Sequence, residues 1–231
     1  MTTLVRRILA PFFGMVVVTI PVAVGTPAGD AHADTLCSIE GFSPRSATVG
    51  LDPTAVTFAS AVSGCAPGGW SIEGGAYDFF VTDADPQVTF SPNGNGDSAP
   101  VDVVVSTYDS ANEEASRSFP DSFVVKRATG WDRFNASPEP VTKGARITVE
   151  GRLRMVDWEK RTQVGYAGRS IAVEFRTRTG SYRRIKTVLT GSGGSLVTTV
   201  TAVGDGYWRL RYGGNTIAGA STMRGDFVDV R

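Results

Sequence analysis

The 231-residue chain has 23 basic and 23 acidic residues, so its formal charge at pH 7 is zero. This balance excludes a uniformly basic nucleic-acid binder and an acidic disordered chain. Hydrophobic residues make up 41% of the sequence, enough for a buried core, and 27 glycines with 12 prolines indicate many turns.

Residues 1–33 have the pattern of a cleaved secretory signal peptide. Arg6 and Arg7 precede an apolar stretch over 8–24, and Ala31-His32-Ala33 offers the small residues that flank a cleavage point. The alternative, a retained membrane anchor, is disfavoured because the stretch contains prolines and reaches only about 17 residues, the lower limit for a span. We expect a secreted chain that begins at Asp34, has no membrane span and has no histidine. Histidine-based catalysis and histidine metal ligation are then excluded.

Cys37 and Cys65 are the two cysteines of the chain. An even pair in an exported protein predicts a disulfide bond, which would stabilise the fold by about 3–4 kcal/mol in the chain-entropy model. A pair of reactive thiols is the alternative. The absence of histidine and of further cysteines disfavours a redox or metal role for it.

Beyond residue 33 the sequence consists of short alternating runs of Val, Thr, Ile and aromatic residues between turn residues. The strands predicted in the first half lie at 55–62, 77–82, 88–90, 101–108 and 118–126. Those predicted in the second half lie at 146–154, 170–178, 182–189, 196–203, 207–212 and 226–230. Strands about every ten residues without intervening helices indicate antiparallel sandwiches.

A division near Arg127 gives two domains, 34–127 and 128–231, each close to the roughly 100 residues of an immunoglobulin-like sandwich. The junction at 126–130 is too short for a flexible tether. We therefore predict an all-β protein of two tandem immunoglobulin-like antiparallel β-sandwiches, arranged as a stiff, elongated pair.

The second half contains three characteristic groups of residues. They are ASPEPVTKG followed by ITVEG at 136–151, DGYWR followed by YGG at 205–214, and GDFVDV at 225–230. Together they resemble a C-terminal bacterial immunoglobulin-like module of secreted actinobacterial proteins, over about 119–231. The resemblance implies a fold and secretion and implies no activity.

The two predicted domains carry opposite charges. Residues 34–127 hold 13 acids and four bases, a net charge of −9, whereas residues 128–231 hold 17 bases and nine acids, a net charge of +8. Residues 1–33 supply the remaining +1, from Arg6 and Arg7 less Asp30, so the zero net charge of the chain is a sum over two opposed halves and an electrostatic role remains open.

Bases recur at i, i+2 on the predicted strands of the second domain, and such positions share one face of a strand. Intervening residues such as Ile185, Trp208 and Leu210 suit the core. If the third, fourth and sixth strands form one sheet, as in the immunoglobulin pattern, six cations meet on its outer face. They are Arg176, Arg178, Arg184, Lys186, Arg209 and Arg211.

Two interpretations of these cations stay open. Any sandwich needs a polar outer face. Against that, like charges opposite each other on neighbouring strands destabilise a sheet, and Glu174 with Asp229 offsets only part of six cations. Such a face suits an extracellular polyanion, such as a wall teichoic acid or an acidic glycan, or an acidic protein surface. Nucleic acid is disfavoured by the compartment and because we expect no aromatic residues between the outward arginines.

Two further features of the sequence have competing interpretations. Asn93, Asn95 and Asp97 place oxygen donors at alternate positions of a loop, as a calcium site requires, but Ser98 takes the glycine position of an EF-hand and no glutamate closes the loop. An ordinary polar turn is the alternative. Trp158 lies in a long predicted loop, where it is either an exposed binding hot spot or packed over the sandwich edge.

The sequence thus favours a secreted, non-enzymatic binding or structural protein of the cell surface, with no catalytic residues and no cofactor. One alternative is salt-sensitive head-to-tail self-association, in which the acidic domain of one molecule meets the basic domain of another. The other is a carboxylate-based hydrolase, because paired carboxylates cleave glycosides without histidine. No spacing in the sequence identifies such a pair.

Overall fold

The computed structural model describes residues 37–66, 69–74 and 77–231, so the predicted signal peptide at 1–33 lies outside the described residues. Within these ranges the chain is all-β, as predicted, and forms tandem immunoglobulin-like sandwiches. The described residues also form two short 3-10 helices, Asn95–Asp97 and Ser192–Gly194. No helix in the described part of the chain is long and apolar enough to cross a membrane.

The first sandwich contains strands β1 to β9. Their bounds are β1 Ser38–Ser43, β2 Ser46–Val49, β3 Thr54–Thr57, β4 Ala59–Ser63, β5 Trp70–Gly74, β6 Phe79–Thr82, β7 Gln87–Phe90, β8 Pro100–Tyr108 and β9 Glu114–Arg127. One sheet has the order β2-β9-β8-β5-β6, and the pairs β1-β4 and β3-β7 form the smaller sheets. All pairings are antiparallel except β2 with β9, which is parallel and departs from the purely antiparallel prediction.

The second sandwich contains strands β10 to β18. Their bounds are β10 Thr129–Ser137, β11 Arg146–Asp157, β12 Thr162–Gly165, β13 Ser170–Arg176, β14 Arg183–Leu189, β15 Ser195–Thr201, β16 Gly206–Tyr212, β17 Ser221–Thr222 and β18 Asp226–Val228. In one sheet β11 pairs with β10 on one side and with β12 and β15 on the other. In the other sheet β13 lies between β14 and β16, and β16 also pairs with β17 and β18.

The strand predicted at 55–62 is two strands in the structure. β3 pairs with β7, whereas β4 pairs with β1, so the chain passes from one sheet to another at the buried residue Phe58. The alternation of residue types continues through this crossing. A pattern of period two therefore could not show that the pairing partner changes.

Alternating apolar residues build a hydrophobic core in each sandwich. In β8, Val101, Val103 and Val105 are buried, and they pack with a cluster of phenylalanines that includes Phe58 and Phe123. The predicted disulfide is confirmed: Cys37 and Cys65, 28 positions apart, are bonded just before β1 and just after β4. The bond therefore closes the end of an antiparallel strand pair.

The junction between the sandwiches is tightly hydrogen-bonded. Only Ala128 separates β9 from β10. The buried side chain of Arg127 donates from Nε to the carbonyl of Val156 at 2.7 Å, and its backbone amide donates to the carbonyl of Ile217 at 2.9 Å. These contacts tie the last strand of the first sandwich to two separate segments of the second.

Trp158 extends this junction into the first core. It follows β11, yet it is 1% exposed and packs in the hydrophobic cluster of the first sandwich, and its indole Nε1 donates to the carbonyl of Gly50 at 2.9 Å. Of the two interpretations of Trp158, packing is therefore correct and the exposed hot spot is wrong. The second sandwich contributes this side chain to the core of the first.

Candidate anion-binding groove

The sheet containing β14, β13 and β16 brings the predicted cations together. On β13 the residues Ile171, Val173 and Phe175 are buried in the core, so Glu174 and Arg176 belong to the outer face. Arg209 and Arg211 occupy the same face of β16, because Arg209 lies opposite Glu174 in the register and Arg211 lies opposite Ala172.

Glu174 organises the centre of this outer face. Its carboxylate is largely buried and accepts hydrogen bonds from Nε and Nη2 of Arg209 at 2.8 and 2.7 Å. Nη1 of Arg211 lies 3.9 Å from the other carboxylate oxygen. Arg209 is therefore fixed and neutralised, whereas the Arg211 side chain, 53% exposed, keeps most of its charge directed to solvent.

A groove of about 470 Å³ lies at one end of this face. Three arginines line it: Arg169 from the turn before β13, Arg184 from β14 and Arg211 from β16. Ser170 and Thr187 add hydroxyl groups. Arg184 is exposed and forms no ion pair or side-chain hydrogen bond with any described residue, so its guanidinium is available to a ligand.

The groove is open to solvent, and polar and apolar atoms contribute about equally to its lining. Its lining includes residues 212–215, with no acidic residue among the lining residues. Burial, together with the neighbouring Tyr166, raises the pKa of Tyr212 far above its usual value, so its phenol stays neutral. The net charge of the lining is therefore set by its three arginines, which can hold a phosphate or carboxylate bidentately.

Aromatic rings alternate with the remaining arginines on the same face. The guanidinium carbon of Arg209 lies 3.6 Å from the ring centroid of Tyr182, and that of Arg176 lies 4.2 Å from the ring centroid of Tyr207. The expectation that aromatic residues do not alternate with the outward arginines is therefore wrong. Tyr207 shares a strand face with Arg209, a relation visible in the sequence, whereas Tyr182 comes from a turn.

Arg178 lies beyond the end of β13, at the margin of the face. Its guanidinium carbon is 4.4 Å from the ring centroid of Phe227, and its Nη2 lies 3.5 Å from the carboxylate of Asp205. Arg178 is therefore held by its own chain and does not line the groove.

Lys186 does not join the outer face, because β14 contains a bulge. The register places Lys186 opposite Val173 and Arg184 opposite Glu174, so Ile185 is skipped. The ammonium group of Lys186 donates to Oγ1 of Thr198 and the carbonyl of Thr199 in the other sheet. The core position predicted for Ile185 is wrong, because the bulge leaves it 42% exposed.

Of the six predicted cations, the structure brings two into the groove, Arg184 and Arg211. Arg176 and Arg209 are engaged with tyrosines nearby. Arg169 was missed by the sequence argument, because it precedes the strand and belongs to no i, i+2 pair. Only the turn that leads into β13 places it beside the other two arginines.

The loop proposed for calcium makes bonds within the protein. The Asp97 carboxylate accepts hydrogen bonds from the backbone amides of Asn93 and Gly94 at 3.1 and 3.0 Å, as in an ordinary polar turn. The side chain of Asn95 donates to Asp157 and accepts from the backbone amide of Trp158, both at 3.0 Å. In the described ranges, no three His, Cys, Asp or Glu residues are grouped to hold a metal ion.

The comparisons with known proteins concern the fold alone. No protein-family model matches the sequence, and no curated protein matches it. Fibronectin(III)-like modules of Clostridium thermocellum CbhA are 13% identical, with 84% of this chain and 93% of that chain covered and a TM-score of 0.41. The chicken interferon gamma receptor alpha chain is 11% identical, with coverage of 84% and 96% and a TM-score of 0.33. Murine CEACAM1b is 7% identical, with coverage of 84% and 100% and a TM-score of 0.32.

Proposed function

We propose that the protein is an exported, non-enzymatic binding protein that holds an anionic partner at the cell surface in the groove of the second sandwich. The observation that carries the proposal is the convergence of Arg169, Arg184 and Arg211 on one groove with no acidic lining residue. Arginine side chains brought together repel one another. An anion that bridges them relieves this repulsion and gains charge-assisted hydrogen bonds.

The chemistry of the groove favours phosphate or carboxylate groups on a repeating polymer. Guanidinium groups match both anions in geometry, and the hydroxyls of Ser170 and Thr187 can donate further hydrogen bonds. A groove open to solvent admits one stretch of an extended chain. Wall teichoic acids and acidic glycans have this character, and an acidic protein surface offers the same groups.

Export is supported by three independent features. Residues 1–33 have the signal-peptide pattern, the only cysteine pair forms a disulfide, and the second half resembles a module of secreted actinobacterial proteins. An extracellular location also disfavours nucleic acid as the partner, even though aromatic rings flank Arg176 and Arg209. Those rings are already covered by guanidinium groups of the same chain.

Retention on a column of purified anionic wall polymer tests the proposal. The wild-type protein should be retained at low ionic strength and released as salt screens the charges. Arg184→Ser and Arg211→Ser should each elute at lower salt, whereas the control Lys186→Ser, which removes the same charge outside the groove, should elute close to wild type. Failure of the wild type to be retained, or an equal effect of all three variants, would refute the groove as the binding site.

A further inference from the structure

The outer face of the first sandwich exposes two aromatic side chains. Phe80 on β6 is 65% exposed, and Tyr108 at the end of β8 is 45% exposed. Exposed aromatic side chains contribute large contact areas where a sheet face binds a partner. The neighbours of these two rings therefore decide what the face can bind.

Each exposed ring lies directly opposite a carboxylate on the neighbouring strand. Phe80 is paired with Glu73 of β5, and Tyr108 is paired with Glu114 of β9. Side chains in such cross-strand pairs have Cβ atoms about 4.5–5.5 Å apart and lie on the same face. The face thus presents two ring–carboxylate pairs.

A trough lined by short polar side chains lies between the two pairs. Its volume is about 210 Å³, and Ser71, Thr82 and Ser106 contribute to its lining together with both rings. From the registers, Phe80 and Tyr108 stand two strands and four residues apart, which places their Cα atoms about 16 Å from each other. The face can therefore engage two side chains of one partner at the same time.

The same chain shows what a ring–carboxylate pair holds. In the second sandwich, Arg209 is hydrogen-bonded to Glu174 at 2.8 Å and lies 3.6 Å from the ring centroid of Tyr182. A guanidinium satisfies both partners, because the ring face attracts a cation and the carboxylate accepts its hydrogen bonds. Neither Glu73 nor Glu114 forms an ion pair with any base in the described ranges.

We propose that this acidic aromatic face, defined by Glu73, Phe80, Tyr108 and Glu114, docks the basic sandwich of a second copy of the chain. Charge complementarity identifies the occupant, because the segment that carries the face has a net charge of −9 and the segment 128–231 has a net charge of +8. The inference rests on the proposed function in one respect, because the groups that bind the acidic aromatic face are the groove arginines Arg184 and Arg211 of the second copy. The acidic aromatic face is then one of the acidic partners that the groove can bind.

The contact joins different surfaces of the two molecules, so one copy keeps a free basic groove and the other keeps a free acidic face. Such a heterologous contact does not close by itself and extends into chains of molecules. Because its charged groups remain near solvent, the association should be strong at low ionic strength and weak at high ionic strength.

Sedimentation velocity of the purified protein tests the inference. At about 0.01 M ionic strength, where the Debye length is about 30 Å, the average mass should rise with protein concentration. At about 1 M, where the Debye length is about 3 Å, the protein should be monomeric. The double variant Glu73→Arg/Glu114→Arg should weaken association by about tenfold or more. The double variant Glu40→Arg/Asp52→Arg makes the same change in net charge outside the face and should weaken it less.

Mixing variants gives the sharpest result. The variant Glu73→Arg/Glu114→Arg has two basic surfaces, and the variant Arg184→Glu/Arg211→Glu has two acidic surfaces. Each variant alone should therefore remain monomeric. Their mixture should associate, because the basic groove of the first variant can bind the acidic aromatic face of the second. A wild type that is monomeric at low salt refutes the inference, as does a mixture that stays monomeric. So does a monomeric protein whose acidic aromatic face binds a neutral oligosaccharide or a basic peptide. The Glu73→Arg/Glu114→Arg variant should still bind wall polymer, so loss of association and loss of the proposed function are separate outcomes.

Discussion

Trp158 shows how one side chain can join two sandwiches. It belongs by sequence to the second sandwich and by packing to the core of the first. Removing a buried tryptophan leaves a cavity and orphans the carbonyl of Gly50. The burial of Trp158 in the first core could not be predicted from the sequence, because no local pattern shows that a loop residue fills the core of a neighbouring domain.

The substitution Trp158→Ala should lower the free energy of unfolding by about 3–5 kcal/mol, the usual cost for a fully buried large aromatic residue. Denaturant titration followed by circular dichroism measures the loss. Phe80→Ala is the matched control: Phe80 is 65% exposed, and its loss should change the free energy of unfolding by no more than about 0.5 kcal/mol. Equal effects of the two substitutions would contradict the burial of Trp158.

Tyr77 gives the first sandwich a dependence on alkaline pH. Burial, with a smaller contribution from the charge of Asp97, raises the pKa of Tyr77 from 10.0 to about 12. The folded state therefore holds the phenolic proton more tightly than the unfolded state does. The resulting stabilisation is complete below pH 10 and is lost as the pH rises from 10 to about 12.

Replacing this tyrosine by phenylalanine should remove that part of the pH dependence. The Tyr77 hydroxyl has no hydrogen-bond partner among the described residues, so Tyr77→Phe should cost little stability at neutral pH. Denaturation curves recorded from pH 9 to pH 12 should show a shallower decline for Tyr77→Phe than for the wild type. Parallel declines would mean that Tyr77 ionises equally in both states.

At the scale of elements, the strand period predicts which side chains share a face and fails where pairing changes. It placed Arg209 and Arg211 correctly outward and Trp208 and Leu210 correctly inward on β16. It failed on β14, because the bulge at Ile185 reverses the alternation, and a bulge is decided by the partner strands.

The same limit applies to the groove. Arg211 could be found from strand alternation, because it lies inside a regular strand. Alternation also placed Arg184 on the outer face, although the bulge that follows it moves Lys186 away from that face. Arg169 could not be found in this way, since its position depends on how a turn packs beside β13. Nor could the register that sets Phe80 opposite Glu73, because the pairing of β5 with β6 is fixed by tertiary contacts rather than by local sequence.

Asn95 is the residue that connects the loop at 93–97 to the second sandwich. Its side chain donates to Asp157 and accepts from Trp158, and hydrogen bonds from the backbone amide of Lys160 and from Asn95 hold the pKa of Asp157 below its usual value. Asn95→Ala should therefore lower the free energy of unfolding by about 1–3 kcal/mol, because it removes one hydrogen bond from Asp157 and leaves the backbone amide of Trp158 without its side-chain acceptor.

Asn93→Ala is the matched control, since Asn93 uses only its backbone amide in the turn. It should alter the free energy of unfolding by no more than about 0.5 kcal/mol. Chemical denaturation with and without a calcium chelator separates the two interpretations of this loop. A bonded turn predicts no effect of the chelator, whereas a calcium site predicts that the chelator and both substitutions destabilise the protein.

At the scale of the whole molecule, the two sandwiches carry opposite net charges, and we propose one binding surface on each. The junction at Arg127 and Trp158 holds the two sandwiches through buried contacts, so the surfaces belong to one packed unit rather than to freely tethered domains. Salt screens exposed charges beyond a Debye length of about 8 Å at physiological ionic strength, so each surface acts mainly when a partner comes close. We therefore expect each surface to recognise a partner whose charged groups match the positions of its own charged side chains.

The most direct test of the central claim is the dissociation constant of inorganic polyphosphate, measured by isothermal titration calorimetry at low ionic strength. Polyphosphate should bind the wild type. The double variant Arg184→Ser/Arg211→Ser should weaken binding by about 100-fold or more, because charge-assisted hydrogen bonds contribute about 1.5–3 kcal/mol each. Lys186→Ser should weaken it by less than about threefold, as expected for a charge that contributes only through the general field. An equal loss from the double variant and from Lys186→Ser would contradict the claim that the groove is an anion-binding site.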